Sequence, residues 1–319
     1  MTNVASHNAI DPQATQRSLL PFIGSEVQVP YQQARVVILP IPFEATTTYR
    51  QGCQHGPASL LEASDQLEYY DDEFDCEICW PVGIHTTEAV ADTRSGEPIS
   101  PETMVQQTQK KVAQCIADGK FPIAIGGEHS ITRGMIQAYH QAYPNEPFTV
   151  VQIDAHADLR PEYEGSENNH ACVMHRVFDL GLPTLSVGIR HLCQQEADLI
   201  KKQKLPVIWG REIATDSRWI EHALAAISTE KVFVTIDLDG LDPSLVPGVG
   251  TPDPGGLTWY QTTSFLREIF ASHEVLGCDI MELAPVMDSV VSQYTAAKLI
   301  YKVIGYQALA AQWLGTRSC

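Results

Sequence analysis

Basic residues are scarce in this chain: 21 Lys and Arg stand against 39 Asp and Glu, a formal net charge of −18 over 319 residues. Nucleic-acid affinity rests on Lys and Arg neutralising phosphates, so a nucleic-acid partner is not expected, and anionic membrane surfaces are disfavoured for the same reason. Long apolar runs are also missing. Clean stretches such as Val36-Val37-Ile38-Leu39 are strand-sized, well short of a membrane span. No Asn-x-Ser/Thr acceptor occurs, and the opening residues, Met1 to Arg17, lack the charged-then-apolar-then-small order of a secretory signal. The eight cysteines are too few and too scattered for a disulfide framework. Cys76-Glu77-Ile78-Cys79 is a CxxC, but no second Cys/His pair at similar spacing accompanies it, so it reads as chance. A reduced, cytoplasmic protein is the expectation.

What is present is ordinary for a globular chain, with 44% hydrophobic and 19% charged residues. Pro12, Pro21 and Pro30 interrupt residues 1–33, which read as an N-terminal arm. From there short β-branched runs alternate with helix-length segments. Strands are expected at 35–39, 122–125, 148–153, 184–188, 206–208, 231–236 and 274–280. Helices are expected at 57–64, 101–117, 130–142, 171–180, 194–204, 217–227, 258–272 and 289–313. The strand runs are continuously apolar rather than alternating, which suits a sheet buried on both faces. The alternation therefore predicts one α/β domain over 34–313 with a mostly parallel sheet, followed by a short tail, 314–319.

Three of these strands end in polar clusters: Gly126-Gly127-Glu128-His129-Ser130, Asp154-Ala155-His156-Ala157-Asp158 and Asp237-Leu238-Asp239-Gly240-Leu241-Asp242-Pro243. In open α/β sheets ligand sites gather beyond the carboxyl ends of strands. On an extended segment alternate side chains point the same way, so Asp154, His156 and Asp158 can converge, as can Asp237 and Asp239. Each residue alone reads as a cap, a turn former or a satisfied histidine. Together they are two imidazoles and four carboxylates that would repel unless cations neutralise them. A pair of divalent ions would do so, and this oxygen-rich set favours Mn²⁺ over Zn²⁺, with Ni²⁺ left open. Water held between such ions is acidified toward neutral pH. No phosphate loop, dinucleotide-binding glycine pattern, Gly-x-Ser-x-Gly elbow or HExxH helix competes with this reading.

The three clusters, in this order, resemble those of the ureohydrolase family of arginases and agmatinases. The resemblance extends to Tyr49-Arg50-Gln51-Gly52, Pro247-Gly248-Val249-Gly250-Thr251-Pro252 and Asp279-Ile280-Met281-Glu282-Leu283-Ala284-Pro285, and spans about Val36 to Tyr306. It implies a three-layer α/β/α fold around a mostly parallel, roughly eight-stranded sheet, and a homo-trimer or homo-hexamer. By the same resemblance one Mn²⁺ is held by His129, Asp154, Asp158 and Asp237, and a second by Asp154, His156, Asp237 and Asp239. Asp158 would also hold the attacking water. Glu282 sits where the family grips the substrate guanidinium, and His170 matches its proton-shuttle histidine, for which a near-neutral pKa is expected. His55, His85 and His175 are read as ordinary structural or surface residues.

The loop 159–169 lacks the arginase pattern and is similar to an agmatinase form. Its Glu162, Glu164 and Glu167 would suit an ammonium tail, whereas an inward Arg160 would welcome a carboxylate. The expected reaction is hydrolysis of agmatine to putrescine and urea. Guanidinobutyrate, another guanidino acid, guanidine or arginine are the alternative substrates. A non-catalytic guanidino-binding relative is disfavoured, because no implied ligand is missing.

Overall fold

The β-branched runs form strands, and most are buried along their whole length. A computed structural model describes residues 19–314. Its strands are β1 (Val36–Ile41), β2 (Tyr70–Asp71), β3 (Cys76–Glu77), β4 (Ile84–Thr86), β5 (Phe121–Gly126), β6 (Phe148–Ile153), β7 (Thr184–Ile189), β8 (Val207–Trp209), β9 (Lys231–Asp237) and β10 (Glu274–Met281). Eight of them form one parallel sheet in the order β4-β1-β5-β10-β9-β6-β7-β8, and β2 pairs antiparallel with β3.

Residue alternation divides the core into two layers. Val36, Ile38, Ile123, Ile125, Val151 and Ile153 pack beneath the helices Gly56–Ser64, Trp259–Ser272 and Val291–Ala310. Their neighbours Val37, Leu39, Ala124, Val150 and Phe233 face the helices Pro101–Ala117, Thr132–Ala142 and Val173–Asp179. The result is the three-layer α/β/α architecture, with both sheet faces dry. All seven strands expected from the sequence are present. The eighth sheet strand, β4, is a three-residue edge strand, Ile-His-Thr, too short to leave a pattern.

The segment expected as an arm is partly described, and residues 19–33 are tied to the body. Phe22 N donates to Thr86 Oγ1 at 2.9 Å, Ile23 N to Ser64 Oγ at 2.8 Å, and Gln28 bridges Ile84 beyond the sheet edge. The expected tail lies outside the described residues except Leu314, which packs on the core with Trp313. Cys76 and Cys79 are buried and belong to neither cluster of potential metal ligands found among the described residues. No helix among the described residues is long and apolar enough to cross a membrane.

The β2–β3 hairpin is locked to the last helix by charge. Asp71, fully buried, accepts from Lys302 Nζ at 2.6 Å and Lys298 Nζ at 3.0 Å, and Glu73 accepts from Lys302 at 3.0 Å and from Tyr306 Oη at 2.9 Å. Burial pushes the Asp71 carboxyl up, but the two lysines outweigh it and hold the pKa below its ordinary value. A depressed folded pKa means that stability is present above the unfolded pKa and lost as pH falls through the folded one. Asp71→Ala is therefore expected to destabilise the chain by about 3 kcal/mol in urea unfolding at neutral pH. The gap from the unsubstituted chain should narrow below about pH 4.

Candidate active site

The sheet order puts β5, β10, β9 and β6 side by side at its centre, so the three polar clusters and Glu282 emerge at adjacent carboxyl ends. In-register pairs, Met281 with Asp237 and Ile153 with Ile236, bring those ends level. Two glycines let the elements close up. A Cβ on Gly127 would lie 1.9 Å from the Phe43 carbonyl oxygen, and one on Gly240 would lie 2.7 Å from Asp154 N. Gly126-Gly127 is thus a close-approach site as well as a turn.

His129 is the hub. Its Nδ1 lies 3.2 Å from Asp154 Oδ2, 3.1 Å from Asp158 Oδ2 and 3.3 Å from Asp237 Oδ2. His156 Nδ1 lies 3.0 Å from Asp239 Oδ2 and 3.6 Å from Asp154 Oδ1. His129/Asp154/Asp158 and Asp154/His156/Asp239 form two ligand cages that share Asp154. Asp237 adjoins both, with Oδ2 beside His129 and Oδ1 accepting from Asp239 N at 2.9 Å.

The route to convergence differs from simple alternation along a strand. Asp158 reaches inward through a left-handed backbone, φ 51°, and Asp239 through a 3-10 turn, Leu238–Gly240. Glu282 is also left-handed, φ 67°. Such conformations cost about 1–3 kcal/mol each and persist where the surroundings impose them.

The donor set fits a pair of divalent cations. His129 Nδ1 is buried without a hydrogen-bond partner although three carboxylates converge on it, while its Nε2 is held by Thr235 Oγ1 at 2.8 Å. All four carboxylates are nearly inaccessible to water. Burial and the neighbouring Asp154 push Asp158 up to about 7, and burial with Asp239 and Asp154 pushes Asp237 well up. Burial also opposes charge on His156, yet Asp239 and Asp154 raise its pKa to about 12. Crowded carboxylates thus demand positive charge among them.

The cluster floors a cleft of roughly 290 Å³ lined also by Arg50, Arg160, Tyr163, His170, His191 and Glu282. Glu282 Oε1 accepts from His129 N at 2.7 Å, and Oε2 has no protein partner among the described residues. Burial drives this carboxyl well above its usual pKa, so its ionised form is favoured only when a cation in the cleft pairs with it. His170 lines the same cleft, and burial pulls it down to about 4 rather than the near-neutral value expected. It is therefore a neutral imidazole at physiological pH.

The glutamates of the 159–169 loop do not line the cleft. Glu162, Glu164 and Glu167 are exposed, and Glu167 pairs with Arg176 at 3.0 Å. The loop contributes Arg160 and Tyr163, the guanidinium stacking 4.5 Å from the tyrosine ring centre.

The family model for the arginase family matches residues 34–305. The chain belongs to the arginase family. An N(1)-aminopropylagmatine ureohydrolase of Synechocystis is 53% identical, over 89% of this chain and 93% of its own. An agmatinase of Pyrococcus horikoshii is 33% identical, over 88% and 94%. In structure the chain resembles the agmatine ureohydrolase of Thermoplasma volcanium, with a TM-score of 0.80, 28% identity and coverage of 95% and 99%. This arginase-family chain is an enzyme, an amidine hydrolase of the ureohydrolase, agmatinase-like type. The family's chemistry depends on two metals, and the His/Asp cluster is a set of donors that could hold them.

Several supports escaped the sequence reading. Gln152 donates to Asp154 Oδ2 at 2.7 Å and accepts from Ser186 Oγ at 2.7 Å. Thr251 Oγ1 donates to Asp239 Oδ2 at 3.1 Å. The Arg190 guanidinium ties the ends of β7 and β9 together through Gly188 O at 3.1 Å and Asp239 O at 2.7 Å. Only the Asp-x-His motif two residues downstream hinted at Gln152. Gln152→Leu should weaken divalent-metal affinity about 10–100-fold with the fold intact, as measured by metal titration. Asp154→Asn should abolish loading of both ions, read by elemental analysis.

Proposed function

We propose that the chain hydrolyses the guanidino group of N(1)-aminopropylagmatine, releasing urea and the corresponding triamine, with agmatine as the second substrate. The observation that carries the guanidino reading is the buried Glu282 carboxylate, whose free oxygen looks into the cleft beside the His/Asp cage. A planar guanidinium can pair with a carboxylate through two parallel hydrogen bonds, which fixes its carbon in one orientation. The aminopropyl tail is supported by the 53% identical Synechocystis relative and by a 35% identical one of Thermus thermophilus, which carries the same name. Agmatine itself is favoured by the Pyrococcus relative named agmatinase.

His129, Asp154, Asp158 and Asp237 would hold one ion and Asp154, His156, Asp237 and Asp239 the other, each taken as Mn²⁺ with Ni²⁺ the alternative. When bound, these ions supply the positive charge that acidifies water and neutralises the carboxylates. Asp158 accepts a proton from the attacking water. Glu282 holds the guanidinium so that attack comes from the cage side. His170, neutral in the cleft, carries protons between the cleft and bulk water as the amine departs.

Urea release from N(1)-aminopropylagmatine, agmatine, guanidinobutyrate and arginine should rank the first two highest in kcat/KM. A higher value for arginine than for either polyamine would overturn the assignment. Glu282→Gln should lower kcat/KM about 100-fold or more, with both ions still bound.

A further inference from the structure

The hydrogen bonds around His170 carry information beyond its presence in the cleft. Glu128 is fully buried and accepts from Ala45 N and Thr46 N, both at 2.6 Å, from Thr46 Oγ1 at 2.6 Å, and from the Ser130 hydroxyl. Thr46 Oγ1 in turn lies 3.0 Å from His170 N and 3.4 Å from His170 Nδ1. A hydroxyl has one hydrogen to donate. Thr46 gives it to Glu128, so it can meet both His170 nitrogens only as an acceptor. A hydrogen bond across the 3.4 Å to the ring then requires the ring hydrogen on Nδ1. His170 Nε2 has no protein partner among the described residues, and the ring lines the cleft.

We propose that Thr46, oriented by Glu128, is a positioning residue that selects the Nδ1–H tautomer of His170 and so presents a bare Nε2 lone pair to the substrate cleft. A neutral imidazole without such a partner can take either tautomer, and the other one would turn an N–H toward the cleft. The tautomer is set by the bond the second ring nitrogen makes, in the way a carboxylate sets it in hydrolytic triads. Here a threonine does so, and the buried carboxylate stands one bond further back. The backbone bonds from Ala45 and Thr46 to Glu128 fix the loop that carries the hydroxyl, so the arrangement is built before substrate arrives.

The inference rests on the amidine-hydrolase reading of the cleft and on His170 acting there as a proton carrier. Its test has two readouts on the full chain. The first is the ¹⁵N signature of the His170 ring in protein loaded with a diamagnetic divalent ion, assigned by comparison with His170→Ala. The expected result is Nδ1 protonated and Nε2 bare, with that signature lost in the near-isosteric Thr46→Val. The second is turnover with N(1)-aminopropylagmatine and agmatine. Thr46→Val should lower kcat about 10–100-fold, with KM and metal content unchanged, and Thr46→Ser should restore kcat to within a few-fold. An Nε2-protonated ring in the unsubstituted chain would overturn the proposal. So would Thr46→Val with undiminished kcat, or Thr46→Ser as impaired as Thr46→Val. Failure of the unsubstituted chain to release urea from any guanidino compound would sink the functional reading instead, and would leave the ring signature to decide the tautomer on its own.

Discussion

Like charges forced together without water are what the centre of this molecule must accommodate. Asp154, Asp158, Asp237 and Asp239 are all nearly inaccessible, and an uncompensated buried carboxylate costs several kcal/mol even after relaxation. The sheet holds them there because its register is set elsewhere, by apolar side chains packed on both faces. Shifting one strand to separate the charges would turn a whole apolar row onto the wrong face. Core packing therefore imposes the repulsion, and cations in the cage relieve it. Metal affinity and local stability are two readings of one free energy.

The supporting bonds follow from the same constraint. Gln152 and Thr251 each donate to a cage carboxylate, and the backbone amides of Ala155 and His156 add further donors to Asp239 and Asp154. These donors hold the oxygens in place without neutralising them, so affinity for a divalent ion is kept while geometry is fixed. Arg190 adds a mechanical tie: its bonds to carbonyls of the β7 and β9 ends and of the 253–254 loop hold the rim together.

The sheet was legible because a strand buried on both faces leaves a continuous apolar run, and seven such runs stand out in this chain. Edge strand β4 left no such mark, since three residues with one histidine cannot be told from a loop. The cage residues were legible as types at strand ends, but alternation along an extended strand does not account for how they meet. Asp158 and Asp239 arrive through a left-handed residue and a 3-10 turn, conformations that depend on what surrounds them. Thr46 and Glu128 lie 82 positions apart, and nothing local in either segment announces the bond between them.

A substrate of the kind proposed above has a cationic tail, and Arg160 lines the cleft it would enter. The Arg160 guanidinium is stacked on the Tyr163 ring, and the loop glutamates that could have screened it point outward, Glu167 being bound to Arg176. Water in the cleft would screen that cation from the tail wherever the two stay more than a Debye length of about 8 Å apart. At the floor the balance reverses. Burial removes the screening around Glu282 and raises its pKa, so a guanidinium arriving there would pair with the carboxyl and stabilise its ionised form. The polycationic substrate proposed above would thereby be oriented with its guanidinium drawn toward the buried Glu282 and its amines outward.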